Sequence, residues 1–378
     1  MQLICDKHLC SGCCACYNKC PRAAITMQED EFGFFHPLID QNKCIDCGLC
    51  VKVCPENFAP QFNKEIVTYA SISKNEEIRC NSTSGGVATT LSQIIIDNSG
   101  VVYGAAFDGE FNLSHTRIVD KKDLPKLQGS KYVQSYIGET YKHVKNDLSF
   151  HPVLFIGTPC QVAGLLNYIP EKFKNNLFSI SFICGGVPSA KFLKNSLSDN
   201  LNNAVGLKFR NGKDYGFWIR YKNGYIKYIK RDSSRYFRGF DKKITLRYSC
   251  YNCRFAQNAR VGDLTIGDFW GLSHGRFLNN KQKGISIIIC STKKGKYLVE
   301  KSSGYLELEN HDLCETLIMN PRLSSPPEWT KDIDRFRRYF LKSNSFNTAI
   351  NRIMGHIYVI YAIKKLSLIH ISEPTRPY

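Results

Sequence analysis

Two stretches of this chain place cysteine in a spacing suited to electron chemistry. They read "CSGCCACYNKCP" from Cys10 and "CIDCGLCVKVCP" from Cys44. In both, cysteines fall at relative positions 0, 3, 6 and 10, with proline next. Cys10, Cys13, Cys16 and Cys20 therefore map onto Cys44, Cys47, Cys50 and Cys54 at a constant offset of 34 residues. Zinc takes two ligand pairs split by a longer spacer, so a third cysteine three residues after the second suits it poorly. A compact C-x2-C-x2-C loop instead fits one side of a cubane [4Fe–4S] cluster, and the proline-linked cysteine turns away to the other cluster. The assignment is crossed. Cys10, Cys13, Cys16 and Cys54 hold one cluster, and Cys44, Cys47, Cys50 and Cys20 hold the second. Cys5 and Cys14 lie beside ligands and read as packed thiols.

The elements around these loops must be short. "AAITMQEDEFGFFHPLID" alternates enough for two strands about an Asp/Glu/Gly turn. "VKVCP" repeats the ending "YNKCP", so residues 5–58 read as a duplicated unit. This part resembles the bacterial two-cluster ferredoxins, which pass electrons singly.

The whole chain has 378 residues, 43% hydrophobic and 22% charged, which suits more than one folded domain and excludes wholesale disorder. Seventeen cysteines without a recognisable leader argue for a reducing, cytoplasmic setting rather than disulfide staples. No apolar run is long enough to span a membrane as a helix, and "HIYVIYAI" leaves only a peripheral contact open. The formal charge is +18. Each oxidised cluster with its thiolates removes about two positive charges, and a basic surplus survives. It suits an acidic redox partner or a phosphorylated cofactor. Neither a zinc-finger spacing nor a single-strand-binding aromatic signature is present, so nucleic acid is not an expected partner.

Beyond a ferredoxin domain at 1–60 and a polar connector at 61–77, the pattern predicts α/β structure, giving an α+β chain overall. "NSTSGGVATTLSQIIIDNSG" reads as a helix capped by Ser82 or Ser84, with Val87, Leu91, Ile94 and Ile95 at helical spacing. The same start, with its hydroxyls and paired glycines, also suits an anion site. "GVVYGAAFDGEFNLSHTRIV" gives two strands around a turn. "HPVLFIGTPCQVAGLLNYI" and "NLFSISFICGGVPSAKFLKNSL" share an order of strand, glycine and cysteine, then helix. Cys160 and Cys184 thus fall at strand ends, where open α/β sheets place their sites. Residues 204–249 form a basic, strand-rich part, with hairpin signals at Asn211-Gly212 and Asn223-Gly224. Cys250 and Cys253 form a CxxC, which alone suits redox, zinc or structural roles. Asp263 and Asp268 read as groups that orient donors. Trp270 reads as a ring-stacking or core residue, and His115, His143 and His151 as surface or structural histidines.

"STSGG", "LQGSKYVQS", "VLFIGTPCQVAGLL", "CGGVPS" and "CYNCRFAQNARVGDLTIGDFWG" together resemble the beta-subunit family of coenzyme F420 hydrogenases and dehydrogenases, across about residues 78–320. The resemblance implies a family N-terminal domain at 78–155, a C-terminal domain at 156–320 and a helical region at 321–365. It implies FAD, at least one internal iron–sulfur cluster, and exchange between one-electron carriers and a hydride acceptor or donor. Carried over by position, Ser82, Thr83, Ser84, Gly85 and Gly86 match the segment expected at the flavin phosphates. Gly129, Ser130, Lys131 and Tyr132 match the GSKY segment near the cofactor, with Lys131 facing phosphate or flavin or else simply a surface lysine. Gly157, Thr158, Pro159 and Cys160 match the GTPC segment. The implied third-cluster ligands are Cys160, Cys184, Cys250 and Cys253, with Cys80 the main rival for a place among them.

The implied function is an iron–sulfur flavoprotein oxidoreductase. It would pass electrons between ferredoxin, or a hydrogenase or dehydrogenase partner protein, and a soluble hydride-type substrate. Two other readings stand beside it: a reductase of an organic double bond or carbonyl, as in the related chlorophyll-pathway enzymes, and a non-catalytic electron-transfer subunit. The end of the chain is different. Residues Leu366 to Arg376 equal the translation of a common transposase-adapter sequence, so 366–378 is expected to be artefactual and the genuine chain interrupted near Lys365.

Overall fold

The computed structural model describes residues 3–212, 214–279 and 284–355. The expected adapter-derived tail lies outside the described residues, as does "HIYVIYAI".

Strands β1 (Ile25–Glu29) and β2 (Phe35–Ile39) form an antiparallel ribbon between the two cysteine runs. The turn joining them is tied by Asp30, whose Oδ1 accepts the amides of Phe32 and Phe34. Each run ends in a single helical turn, Ala15–Lys19 and Leu49–Val53. The two-fold pattern of the sequence is thus a two-fold pattern of structure.

The body is one eight-stranded mixed sheet. Its members are β3 (Val67–Ser73), β4 (Val101–Phe107), β5 (Leu113–Ile118), β6 (Val153–Gly157), β7 (Leu177–Phe182) and, after an intervening ribbon, β11 (Leu264–Asp268), β12 (Ser286–Cys290) and β13 (Leu306–His311). The ribbon is a separate antiparallel sheet of β8 (Ala204–Asn211), β9 (Asp214–Tyr221) and β10 (Ile226–Lys230), joined at the two Asn-Gly sites. The large sheet runs β13-β3-β12-β11-β7-β6-β4-β5. Its middle strands β11, β7, β6 and β4 are parallel, and the flanking pairs are antiparallel. Buried on both faces, β6 and β12 are almost continuously apolar, as parallel-rich sheets require.

Three expectations are corrected here. The connector at 61–77 contains β3, a fully paired strand between β12 and β13, because its "VTYASIS" run is buried from Thr68 onward. Sheet pairing also crosses the 155/156 boundary, since β6 straddles it and pairs with both β4 and β7. The helix start shifts too. A separate short helix, Glu76–Asn81, precedes the serine/glycine segment, and the next helix, Val87–Asp97, begins after Gly86. Gly86 sits at φ 86°, a conformation that favours glycine, and no side chain caps the helix. Ser82 and Ser84 bond instead to the carbonyls of Ile78 and Ile285. Val87, Leu91 and Ile95 form the buried stripe, and Ile94 packs at its margin.

The ferredoxin ribbon is not an appendage. Phe32 and Phe34 enter an aromatic core built on Phe192, which follows the CGGVPS segment. The Phe192 ring packs edge-on to Phe34 at 5.9 Å, Phe336 at 5.2 Å and Phe340 at 4.9 Å. The helix Lys331–Ser343 supplies the last two from a stripe of Ile333, Phe336, Arg337 and Phe340. Phe192→Ala should therefore cost about 3–5 kcal/mol. The denaturation midpoint of the cluster-loaded chain checks this; a shift no larger than that of an exposed control such as Phe150→Ala would contradict it.

Candidate redox centre and cofactor cavity

Cys10, Cys13, Cys16 and Cys54 line one small cavity, and Cys20, Cys44, Cys47 and Cys50 line another. The crossed sets are thereby each brought together. Each set draws its four sulfurs from both runs, which is the donor set a [4Fe–4S] cluster needs. Their surroundings differ. The first set is buried throughout, whereas Cys47 is exposed and its three companions are half-buried. Burial pushes the Cys13 and Cys16 thiols well up, with the neighbouring sulfurs adding to it. Such thiols stay protonated unless a metal or cation takes up their charge.

Cys10 goes the other way. A hydrogen bond from Cys5 holds it well below the usual thiol range, helped by His36 and Arg247 and opposed by burial. Cys5 lines this cavity, so it is a neighbour of the ligand set as well as a packed thiol. Cys14 also lines it, fully buried, with its Sγ directed at the Gly12 carbonyl at 3.6 Å.

Arg247 links this inner site to the body. Its side chain is fully buried, and it donates to the Cys10 carbonyl at 2.6 Å, the Phe35 carbonyl at 2.7 Å and Gln134 Oε1 at 3.2 Å. A terminal nitrogen lies 3.7 Å from Cys10 Sγ. No carboxylate pairs with it among the described residues. Nothing local in the sequence marks this arginine, because its partner is 237 positions away.

A second group of sulfurs lies in the body. Cys160 begins the helix Pro159–Tyr168, Cys184 follows β7, and Cys250 and Cys253 flank the end of the turn Tyr248–Tyr251. Burial raises Cys160 to about 12 and Cys253 to about 11, and it raises Cys184 and Cys250 as well. Mutual repulsion contributes: Cys184, Cys253 and Cys160 all raise Cys250. Cys80 takes no part; it is exposed on its own helix with Sγ toward Glu76.

The inner site and this second group share a helix. Gly164 stands one turn after Cys160, and a Cβ there would lie 3.0 Å from Cys13 Sγ. Glu56 borders the first cavity and acts electrostatically on both Cys160 and Cys253. Burial raises its carboxyl to about 7, Arg254 opposing and Cys10 adding to the rise.

Cys184 is also in the wall of a cavity of about 620 Å³ at the carboxyl ends of β6, β7 and β11. That is where ligands bind in open α/β sheets. Ser82, Thr83, Ser84, Gly86, Gly129, Ser130, Lys131, Tyr132, Gly157 and Thr158 all line it. Gly85 and Pro159 do not. A Cβ at Gly85 would stand 2.2 Å from the Ser71 carbonyl oxygen, so the sheet backbone requires a glycine there. Pro159 is buried at the start of its helix, where Thr158 and Gln161 form a capping box. Thr83 and Ser130 join the two hydroxyl-bearing segments by a 2.9 Å hydrogen bond.

The wall carries four cations that charge counting alone does not single out or group. Arg210 pairs with Asp268 at 2.7 Å, and Arg231 makes two 2.9 Å bonds to Asp241. Both guanidinium groups also lie over the Tyr215 ring. Lys131 and Lys243 have no such carboxylate contact among the described residues, and burial lowers both, Lys131 to about 7. Lys131 donates to the carbonyls of Leu127, Gln128 and Gly129, so it also braces its own loop. Asp263 orients donors away from the cavity, accepting from Ser179 and Thr292. His115 is half-buried, and desolvation lowers it to about 4, between Ser135 and the Ile156 carbonyl. Trp270 is half-exposed on the cavity wall.

Residues 150–313 match the family described as the C terminus of the coenzyme F420 hydrogenase/dehydrogenase beta subunit. Residues 9–58 match a 4Fe-4S dicluster domain, and 39–82 a 4Fe-4S single cluster domain of Ferredoxin I. The N-terminal segment is thus a ferredoxin-type domain, and the segment 150–313 is similar to the F420 hydrogenase/dehydrogenase beta subunit. The ferredoxin domain holds two [4Fe–4S] clusters, the equipment of one-electron transfer. An uncharacterized ferredoxin of Methanocaldococcus jannaschii is 33% identical over 57 residues, 15% of this chain and 73% of that one. Pyruvate synthase subunit PorD of the same organism is 40% identical over 62 residues, 16% of this chain and 67% of that one. A component of the ion-translocating oxidoreductase complex of Methanosarcina acetivorans is 45% identical over 47 residues, 12% of this chain and only 16% of that one. A chain of the F420-reducing [NiFe] hydrogenase complex from Methanosarcina barkeri shares the fold, with a TM-score of 0.50 and 18% identity over 76% of this chain and 96% of that one. No helix among the described residues is long and apolar enough to cross a membrane.

The buried Arg247 charge lies beside the Cys10 sulfur, so it favours extra negative charge at the inner site. Arg247→Met should lower the midpoint potential of the inner cluster and leave that of the outer one in place, as read by an EPR-monitored redox titration. Equal potentials in variant and parent would remove this role.

Proposed function

We propose that this chain is an iron–sulfur flavoprotein oxidoreductase that exchanges electrons with ferredoxin or a redox partner subunit and hydride equivalents with a soluble acceptor. One observation carries the reading: Cys184 belongs both to the second sulfur group and to the wall of the large cavity. Outer sulfurs, inner sulfurs, body sulfurs and cavity are therefore consecutive neighbours.

Cys160, Cys184, Cys250 and Cys253 would hold a third [4Fe–4S] cluster, their burial favouring metal-bound thiolates over free ones. FAD would occupy the cavity, and a bound flavin accepts a hydride as two electrons and releases them singly. The hydroxyl-bearing segments at 82–84 and 130, with Lys131, would receive its pyrophosphate. Lys243, Arg210 and Arg231 add positive potential along the same wall. Exposure of the outer set at Cys47 favours that end for a partner's approach. A cytoplasmic setting goes with this chemistry.

The metal content tests the first part. Anaerobic reconstitution should give about twelve iron atoms per chain, and Cys250→Ser should remove about four. Eight in the parent, with no loss in the variant, would refute the third cluster.

Cofactor extraction with mass spectrometry tests the second. About one noncovalent FAD per chain is expected; repeated absence of any flavin from fully cluster-loaded protein would leave only the electron-relay reading. The pH dependence carries a sign. Lys131 is lowered to about 7, and a pyrophosphate paired with it favours the protonated amine. FAD affinity should be greatest below that value and fall as pH rises through it. Fluorescence titration between about pH 6 and pH 9 should show this fall, and Lys131→Met should bind more weakly with a flatter profile. A parent profile as flat as the variant's would exclude Lys131 from the phosphate site.

A further inference from the structure

Outside the large cavity, a second cluster of ligand-type side chains stands where the β11–β12 loop meets the end of β13. His274 comes from that loop, His311 ends β13, and Glu315 lies on the helical turn Cys314–Leu317. One ligand atom from each lies within 4.8 Å of the others. His274 Nδ1 is 3.6 Å and His311 Nδ1 3.0 Å from Glu315 Oε2. We propose that His274, His311 and Glu315 bind a divalent cation of the zinc class, with a fourth position open to water.

The surroundings of His311 point to a ligand. Its side chain is only 1% exposed, yet carboxylates face both ring nitrogens: Glu315 at Nδ1 and Glu309 at Nε2, the latter at 3.5 Å. Neither His311 Nε2 nor Glu309 Oε2 has a hydrogen-bond partner among the described residues. A neutral imidazole carries one N–H, so one nitrogen would present a lone pair to a carboxylate. Metal at Nδ1 removes this conflict. The proton then resides on Nε2 and is aimed at Glu309, the carboxylate–histidine–metal arrangement that orients ligating imidazoles. Glu309 is itself positioned, its Oε1 accepting the Arg276 amide at 3.0 Å. Two imidazoles and one carboxylate match zinc's preference and leave the open position typical of incomplete protein coordination.

The place of the site gives it a use. Thr316, next to Glu315, donates from Oγ1 to the Trp270 carbonyl at 2.9 Å, and Trp270 lines the large cavity. Asn320, on the same wall, donates to the Asp268 carbonyl at 3.4 Å. A cation joining His274 to Glu315 would therefore tie the loop that carries Trp270 to the segment that already holds its backbone. It would be a clip on the cavity's rim, remote from the reacting ligand.

The test uses the cluster-loaded full chain, incubated with Zn2+ and passed through gel filtration. About one zinc per chain should remain, with nitrogen and oxygen neighbours at about 2.0–2.2 Å and no sulfur at the zinc K-edge. His274→Ala combined with Glu315→Gln should reduce bound zinc to below about a tenth of that amount, and Glu309→Gln should weaken affinity about 10–100-fold. Zinc should also slow amide exchange across 270–279 in the parent and not in the double variant. His274 is exposed, so its replacement alone keeps the fold and must still lower the zinc content. Equal zinc in parent and variants, or a sulfur-only environment, would overturn the proposal.

Discussion

A buried guanidinium, that of Arg247, sets how the two parts of this molecule meet. A charge taken out of water is tolerated only where its hydrogen bonds are met and an opposite charge is near. Here the acceptors are the Cys10 and Phe35 carbonyls of the ferredoxin segment and Gln134 of the body, and the nearby negative group is a ligand sulfur. Each bond is directional, so the ferredoxin segment has one seat. The aromatic packing around Phe192 adds area to that seat, and Gly164 lets the Cys160 helix approach Cys13. Without this docking, the sulfur groups would be separate features of one chain. With it, they are neighbours.

The same reasoning separates what the sequence shows from what it hides. The cysteine runs, the ribbon between them and the Asn-Gly hairpins were legible because their physics is local: spacing, alternation and turn conformation. The strand-glycine-cysteine-helix order of the body was legible for the same reason. The gathering of the serine/glycine and GSKY segments was legible only through a resemblance, since nothing within either segment specifies the other. Arg247 was invisible, as were the Arg210–Asp268 and Arg231–Asp241 pairs, because each acquires meaning from a partner supplied by topology. β3 was missed for a related reason. Its flanks are polar, and only pairing between β12 and β13 makes the run a central strand.

The body's sheet also explains why the cavity is where it is. The parallel middle strands end together, and the segments after β6, β7 and β11 all open to one side. The basic ribbon β8–β10 covers that side and contributes Arg210 and Tyr215, while Arg231 follows it. The charge surplus read from composition is thus partly concentrated where an anionic dinucleotide would lie. Two of those arginines spend their charge on carboxylates, leaving the lysines as the less compensated groups.

The unequal shielding of the two ferredoxin sites has a consequence for survival in air. Oxidants reach exposed sulfur first. Cys47 is open to solvent, while Cys10, Cys13, Cys16 and Cys54 are enclosed by the body. Oxygen exposure would therefore strip the peripheral iron before the enclosed iron. A molecule damaged in this way would keep its interior centre intact, and repair would require rebuilding only the outermost one.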